Sequence, residues 1–480
     1  MDAEEFRRAG HELIDWIADY RTGLAERPVK AVTGPGEVAS ALPSSPPDGI
    51  EGFDVVLDDL ERIVVPGMTQ VQHPMHFGWF PSNASLSSVL GDIASSGLGG
   101  LGISWESCPS LTEVEEVVVD WLRQLTGLSD AWAGTIHDTA STSCLVALLA
   151  ARERATDHVQ ARGGLVAAEA PLVVYTTEQA HSSVRKAALL AGFGSDNLRV
   201  VAHDPETFAM SCDAFADAMA ADVAAGRRPA AVVASIGTTG TTAFDPLAEI
   251  VDAAAGRQVW VHVDAAMAGT AMLCPEYREL WDGVEGADSI TWNPHKWMGT
   301  ILDTSLFYVR DVEHLVRVMS TNPSYLRSAV DGEVVQYRDW GIPLGRRFRA
   351  LKLWFHLRLD GVASIQERVR RDIAGARWLA EAANAHPDWE VVAPVALQTV
   401  CLRHRPGTGH GADALDEHTK RWVEAVNDSG RAYLTPSMLD GAWMARVSVG
   451  VENTERHHVE ALWALMNEQA AAVADRGSVV

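Results

Sequence analysis

Apolar positions Phe6, Leu13, Ile14, Ile17 and Tyr20 recur at helical spacing along the opening segment, which predicts an amphipathic helix. A Pro/Gly/Ser-rich stretch from Pro28 to Gly52 breaks the pattern and reads as a linker or an extended arm. A second helical run, FDVVLDDLERIVVP, ends at Pro66. The aromatic-rich HPMHFGWFP (73–81) follows as irregular chain, and helix returns near Ser85 to Ala94.

From Gly134 onward the period changes. Short β-branched runs alternate with helical stretches: PLVVYTT (171–177), LRVVAH (198–203), AAVVASIG (230–237), VWVHVDAA (259–266), SITWN (289–293) and SLFYV (305–309). Continuous apolar strands separated by helices predict a largely parallel sheet covered on both faces, an α/β fold. Beyond residue 360 a long amphipathic helix, the strand-like VVAPVALQTVCLRH and MARVSVGV, and a final helix predict a smaller α+β C-terminal domain.

Composition narrows the class. The chain has 480 residues, 47% of them hydrophobic and 21% charged, enough to build a sizeable core. Its net charge of −25 argues against long-range attraction to nucleic acid or an anionic membrane. Five scattered cysteines without CxxC spacing suggest neither a disulfide framework nor a zinc site, and histidines at 73/76 and 457/458 lack supporting ligands, so no metal is expected. The acidic start and the lack of a long apolar run imply a cytoplasmic protein. The string GLGGLG (97–102) fits a dinucleotide fingerprint, but a helical pattern precedes it instead of a strand, and it is rejected.

Ligands in parallel α/β sheets gather beyond the carboxyl ends of the strands, and the candidate chemistry lies there. Lys296, one of only five lysines, follows SITWN between tryptophans. Apolar surroundings favour a neutral amine, which can attack an aldehyde to form a Schiff base; the alternative is an ordinary lysine snorkelling from a loop. Asp264 ends VWVHVD, where a buried carboxylate could keep a pyridine nitrogen protonated, or merely cap a turn. Thr139, Ala140 and Ser141 precede a strong helix pattern, either as a phosphate cradle at a helix N-terminus or as a plain cap. His181 follows another strand run and could stack on a planar ring and exchange a proton, or, as a lone histidine, merely cap a helix or lie on the surface.

These residues resemble a known family. HVDAAMAG is followed 32 residues after its aspartate by the lysine of NPHKW, with YTTEQAHSSVRKAALLAG before and YRDWGIPLGRRFRALKLW after. The set is similar to the pyridoxal-phosphate-dependent aromatic-L-amino-acid decarboxylases, group II, over nearly the whole chain.

The resemblance implies PLP fold type I, the aspartate-aminotransferase type, and a homodimer with shared active sites. It implies an N-terminal helical segment (1–85) packing on the partner subunit, a large cofactor-binding domain (86–360) and a small C-terminal domain (361–480). It gives Lys296 as the Schiff-base lysine, Asp264 as partner of the ring nitrogen, His181 stacked on the ring and Ala266 on the opposite face. Thr139, Ala140, Ser141, Asn293 and His295 fall on phosphate-binding positions, and Thr239 on a further cofactor contact. Tyr325 matches the loop tyrosine that protonates the α-carbon, where related aldehyde-forming enzymes carry phenylalanine.

Trp79, Phe80, Pro81, Ser82 and Ile103 match substrate-binding positions, with core packing the alternative for Trp79 and Phe80. Val71, Gln72, Trp79, Ile103 and Met267 depart from the family's usual residues, and these changes reshape the pocket. Gly345 is the residue type that favours indoles over phenols in plant relatives. The expected reaction is decarboxylation of an aromatic L-amino acid, tryptophan first, with phenylalanine, tyrosine or dopa open. The alternatives are an aromatic aldehyde synthase and a catalytically inactive dimer of the same fold.

Overall fold

The computed structural model describes residues 1–321, 332–407 and 411–477. Contacts divide them into two compact units, one formed by Met1–Pro81, Glu381–Glu390 and Leu402–Val480, the other by Ser82–Ala380 and Val391–Cys401.

The second unit holds a seven-stranded sheet made of β1 (Ala133–His137), β2 (Leu172–Thr177), β3 (Leu198–Val201), β4 (Arg228–Ser235), β5 (Trp260–Asp264), β6 (Ser289–Trp292) and β7 (Ser305–Val309). Their order is β1-β7-β6-β5-β4-β2-β3. β2 pairs parallel with β3 and β4, β4 with β5, and β5 with β6. β7 runs antiparallel to β6 and β1, so the expected parallel sheet carries one reversed strand. β2, β5, β6 and β7 are buried along their whole length, which is why their sequences lack an apolar–polar alternation, and polar members such as His262 and Thr291 are buried with the rest.

β1 has a weaker signature because Gly134 interrupts it. A Cβ there would meet Val119 at 2.5 Å and Tyr308 at 2.6 Å, so only glycine lets the helix Pro109–Thr126 and β7 approach this closely. The helix Ala140–Ala155 is apolar nearly all round, and Val146, Ala147, Leu148, Ala150 and Ala151 are all fully buried. It packs into the core with Val174, Val233 and Phe307 of the sheet. Its N-terminus directly follows β1, which brings Thr139 to the strand-end side of the fold.

In the first unit, helix Ala3–Thr22 opens with a reciprocal cap: Asp2 accepts the amide of Glu5, and Glu5 accepts the amide of Asp2. A second sheet has the order β10-β11-β9-β8, from β8 (Trp389–Val391), β9 (Thr399–His404), β10 (Thr435–Leu439) and β11 (Ala442–Ser448). Among the described residues no helix is long and apolar enough to cross a membrane.

Candidate active site

Parallel register builds the site. Ser235, Asp264 and Thr291 stand side by side on β4, β5 and β6, so the chain leaving each strand enters the same region. Asp264 is the last residue of β5, and its Oδ1 accepts the backbone N–H of Ala266 at 3.0 Å. β6 leads to Asn293 and the tight turn Pro294–Met298, within which Lys296 departs from helical geometry with φ −98° and ψ −113°.

That turn is held from several sides. Gly299 closes it at φ +102°, and a Cβ there would meet the Arg368 guanidinium at 2.6 Å. Arg368 donates to the carbonyls of Trp297 and Met298, and Trp297 Nε1 donates to the buried carboxyl of Asp372 at 2.9 Å. His295 accepts the N–H of Thr304 on Nδ1 at 2.9 Å, so its proton resides on Nε2. Burial, aided by the Lys296 ammonium, pushes its pKa down to about 4 and leaves a neutral donor.

His181 caps the helix Ser182–Leu190 by accepting the N–H of Ser183 on Nδ1 at 3.2 Å. The residue as a whole is exposed, although its ring contacts to Ser183 are partly buried. Partial desolvation still lowers its pKa from 6.5, opposed by Asp264 and reinforced by Lys296, so it lies within electrostatic reach of both.

At the start of the helix Ala140–Ala155 no side chain caps the N-terminus; Thr139 occupies the cap position without making that bond. The plain-cap alternative for Thr139 therefore does not hold, and the helix presents amides and the positive end of its dipole. Ala140 is buried and Ser141 exposed. Thr239 lies exposed on the turn after β4, whereas its neighbour Thr238 is turned inward and accepts the amide of Ala243 at 3.0 Å.

Asn293 Oδ1, Thr177 Oγ1 and Thr242 Oγ1 are buried without a hydrogen-bond partner among the described residues, and all three follow or end strands on this side of the sheet. Orphaned polar atoms beside an uncapped helix, a carboxylate and an amine fit a small group carrying a phosphate, a ring nitrogen and an aldehyde. Pyridoxal 5'-phosphate has those parts.

The expected substrate residues lie as follows. In the first unit, Trp79 is 47% exposed with φ +50°, its ring 5.1 Å from that of Tyr433, and Phe80 lies 4.2 Å beneath the Arg446 guanidinium. Trp79 is thus not a core residue. Pro81 ends that unit and is buried. In the second unit Ser82 and Ile103 are half-buried and Gly345 is exposed. Tyr325 lies outside the described residues. Sequence reasoning missed Asp372 and Arg368; an acid at position 372 between buried Val369 and Ile373 was the available signal.

Residues 35–405 match the model of the family described as "Pyridoxal-dependent decarboxylase conserved domain". Phenylacetaldehyde synthase of Arabidopsis thaliana is 39% identical across 98% of this chain and 97% of its own length. Tryptophan decarboxylase 2 of Oryza sativa subsp. japonica is 38% identical across 98% and 96%. A crystal structure of Oryza sativa TDC with PLP and tryptamine superposes with a TM-score of 0.95 at 37% identity, covering 98% of this chain and 99% of that one.

Proposed function

This chain belongs to the pyridoxal-dependent decarboxylase family, and from that premise we propose that it converts an aromatic L-amino acid, tryptophan first, to the arylalkylamine and carbon dioxide. When bound, pyridoxal 5'-phosphate supplies the conjugated pyridine into which the electrons of the breaking carbon–carboxyl bond drain. Lys296 offers the amine that anchors it and gives way to the substrate amine. Asp264 holds a proton at the ring nitrogen. His181 and Ala266 bracket the ring, the uncapped N-terminus at Thr139, Ala140 and Ser141 takes the phosphate, and Asn293 and the Nε2–H of His295 add donors. Thr239 makes a further cofactor contact.

Trp79, Phe80, Pro81, Ser82, Ile103 and Gly345 receive the substrate, and Tyr325 delivers the proton to the α-carbon. The observation that carries this reading is the placement of Asp264 at the end of β5 and Lys296 after the adjacent β6, with an uncapped helix following β1.

The working form is a homodimer. Exposed Leu86, Leu90, Ile93 and Leu98 line the helix Leu86–Leu98 and its end, an apolar stripe suited to a second copy. The N-terminal helical segment packs on the partner, and the protein works in the cytoplasm.

The test is a panel of single amino acids incubated with cofactor-loaded protein, with products identified by mass spectrometry. Tryptamine leading the amines is the expected result; no amine from tryptophan, phenylalanine, tyrosine or dopa refutes the proposal. A second reading, aldehyde formation, is favoured by the 39% identity to phenylacetaldehyde synthase. It predicts oxygen consumption matched by hydrogen peroxide.

A further inference from the structure

His137 is the last residue of β1, buried at 6% exposure, and has no place in the chemistry above. Its two ring nitrogens contact different parts of the chain. Nε2 lies 3.1 Å from the carbonyl oxygen of Trp340, and Nδ1 lies 3.0 Å from Oγ of Ser143. The ring stacks on Phe307, with centroids 5.1 Å apart and planes 14° from parallel. Gly341 fits close against it: a Cβ there would stand 3.0 Å from Nε2.

The partners fix the protons. A carbonyl only accepts, so Nε2 carries the hydrogen and donates it to Trp340. Nδ1 is then a lone pair, and the hydroxyl of Ser143 must donate to it. Burial pushes the pKa of the ring down to about 4, which keeps this neutral tautomer across the working range.

This matters because Ser143 sits in the first turn of the helix Ala140–Ala155. Its backbone N–H donates to the carbonyl of Thr139 at 3.2 Å, and its hydroxyl lies 3.4 Å from that same oxygen. That hydroxyl donates instead to His137 Nδ1, so a bond that needs both partners tethers the first turn of the helix to the last residue of β1.

We propose that His137 is a positioning residue for the phosphate: through Ser143 it tethers the turn Thr139–Ser141 to the end of β1, and through Trp340 it ties that turn to the segment around Gly341. The inference rests on the reading of Thr139, Ala140 and Ser141 as the phosphate cradle. It goes beyond that reading by assigning the geometry of the cradle to a side chain that never touches the cofactor.

Four proteins test it: wild type, His137→Gln, His137→Leu and Ser143→Ala, each titrated with pyridoxal 5'-phosphate and examined by phosphorus-31 NMR of the bound phosphate. Glutamine can donate to Trp340 from its amide and accept from Ser143 on its oxygen; leucine can do neither. Leucine is expected to weaken cofactor binding roughly 10- to 100-fold and to shift the phosphorus resonance, alanine at 143 to weaken it by a few-fold, up to roughly tenfold, and glutamine to remain within about threefold of wild type.

Leucine and alanine variants that bind as wild type does, with unmoved resonances, overturn the proposal. So does a glutamine variant as weak as leucine, because the ring would then act by shape and not by its hydrogen bonds. Should the leucine variant fail to fold, Ser143→Ala decides on its own. A wild-type protein that takes up no pyridoxal phosphate overturns the functional reading itself, an outcome visible in the first titration and separate from any difference among variants.

Discussion

The carboxylate of Asp264 accepts the amide of Ala266, two residues further on, at 3.0 Å. The backbone of the strand end thus orients the carboxylate and leaves its other oxygen for a partner. Replacing Asp264 with asparagine keeps size and shape but exchanges a charge for a dipole. The Asp264→Asn protein should still take up pyridoxal phosphate while kcat falls by roughly 10²-fold or more. Cofactor content and turnover measured on one sample check this; near wild-type turnover would remove Asp264 from the chemistry.

Acid stability follows from buried histidines. His76, His137, His262, His295 and His404 are all pushed by burial from 6.5 to about 4, and His356 to about 3. Because their folded pKa values lie below the unfolded one, the unfolded chain binds more protons between about 4 and 6.5, and stability falls as pH drops through that window. A shift of this size corresponds to about 3 kcal/mol for a fully buried ring such as His137 or His262.

Asp245 and Asp372 oppose the trend, since burial raises each from 3.8 to about 6 and their contribution grows as pH falls below that value. Two carboxyls against six imidazoles leave the histidines dominant, and above pH 6 unopposed by these two. The thermal midpoint of the cofactor-saturated protein should therefore decline from pH 7 to pH 5, and His356→Gln should flatten the decline. A midpoint independent of pH over that range would contradict it.

The strands of the large sheet were readable because burial on both faces favours short β-branched and aromatic runs without a polar face, as in LVVYTT and SLFYV. β1 was not, since Gly134 looks like a turn residue until Val119 and Tyr308 are seen to crowd it. β10 was hidden by Pro436, which an edge strand tolerates. The reversed direction of β7 depends on pairing, which no local pattern encodes. The strand-end places of Lys296, Asp264 and His181 were legible from the strand runs beside them. His137 and Asp372 were not, because their roles come from partners far along the chain, Trp340 for one and Trp297 for the other.

Substrate preference offers a cleaner substitution than most. Gly345 is exposed, and among the described residues no atom lies within 4 Å of where a Cβ would stand, so serine fits without strain in its own unit. Gly345→Ser should leave the thermal midpoint within about 2 °C of wild type. The ratio of kcat/KM for tryptophan over tyrosine should fall by roughly tenfold or more as the hydroxymethyl crowds a bicyclic ring. An unchanged ratio would place the indole elsewhere.

Tyr325, in NPSYLRS, decides between two products in the proposed mechanism. After carbon dioxide leaves, the α-carbon holds an electron pair that either takes a proton, giving the amine, or passes electrons to oxygen. The second route consumes one oxygen and one water and yields aldehyde, ammonia and hydrogen peroxide in equal amounts. The phenol of tyrosine supplies a proton where phenylalanine has none, at almost identical size. Tyr325→Phe should therefore lose most of its amine product and gain aldehyde with matching peroxide and oxygen uptake, while the wild type consumes no oxygen. Measuring amine, aldehyde and peroxide from one reaction, with an oxygen electrode alongside, distinguishes the outcomes. If the phenylalanine variant goes on releasing amine alone, the proton comes from another group and Tyr325 does not control the partition.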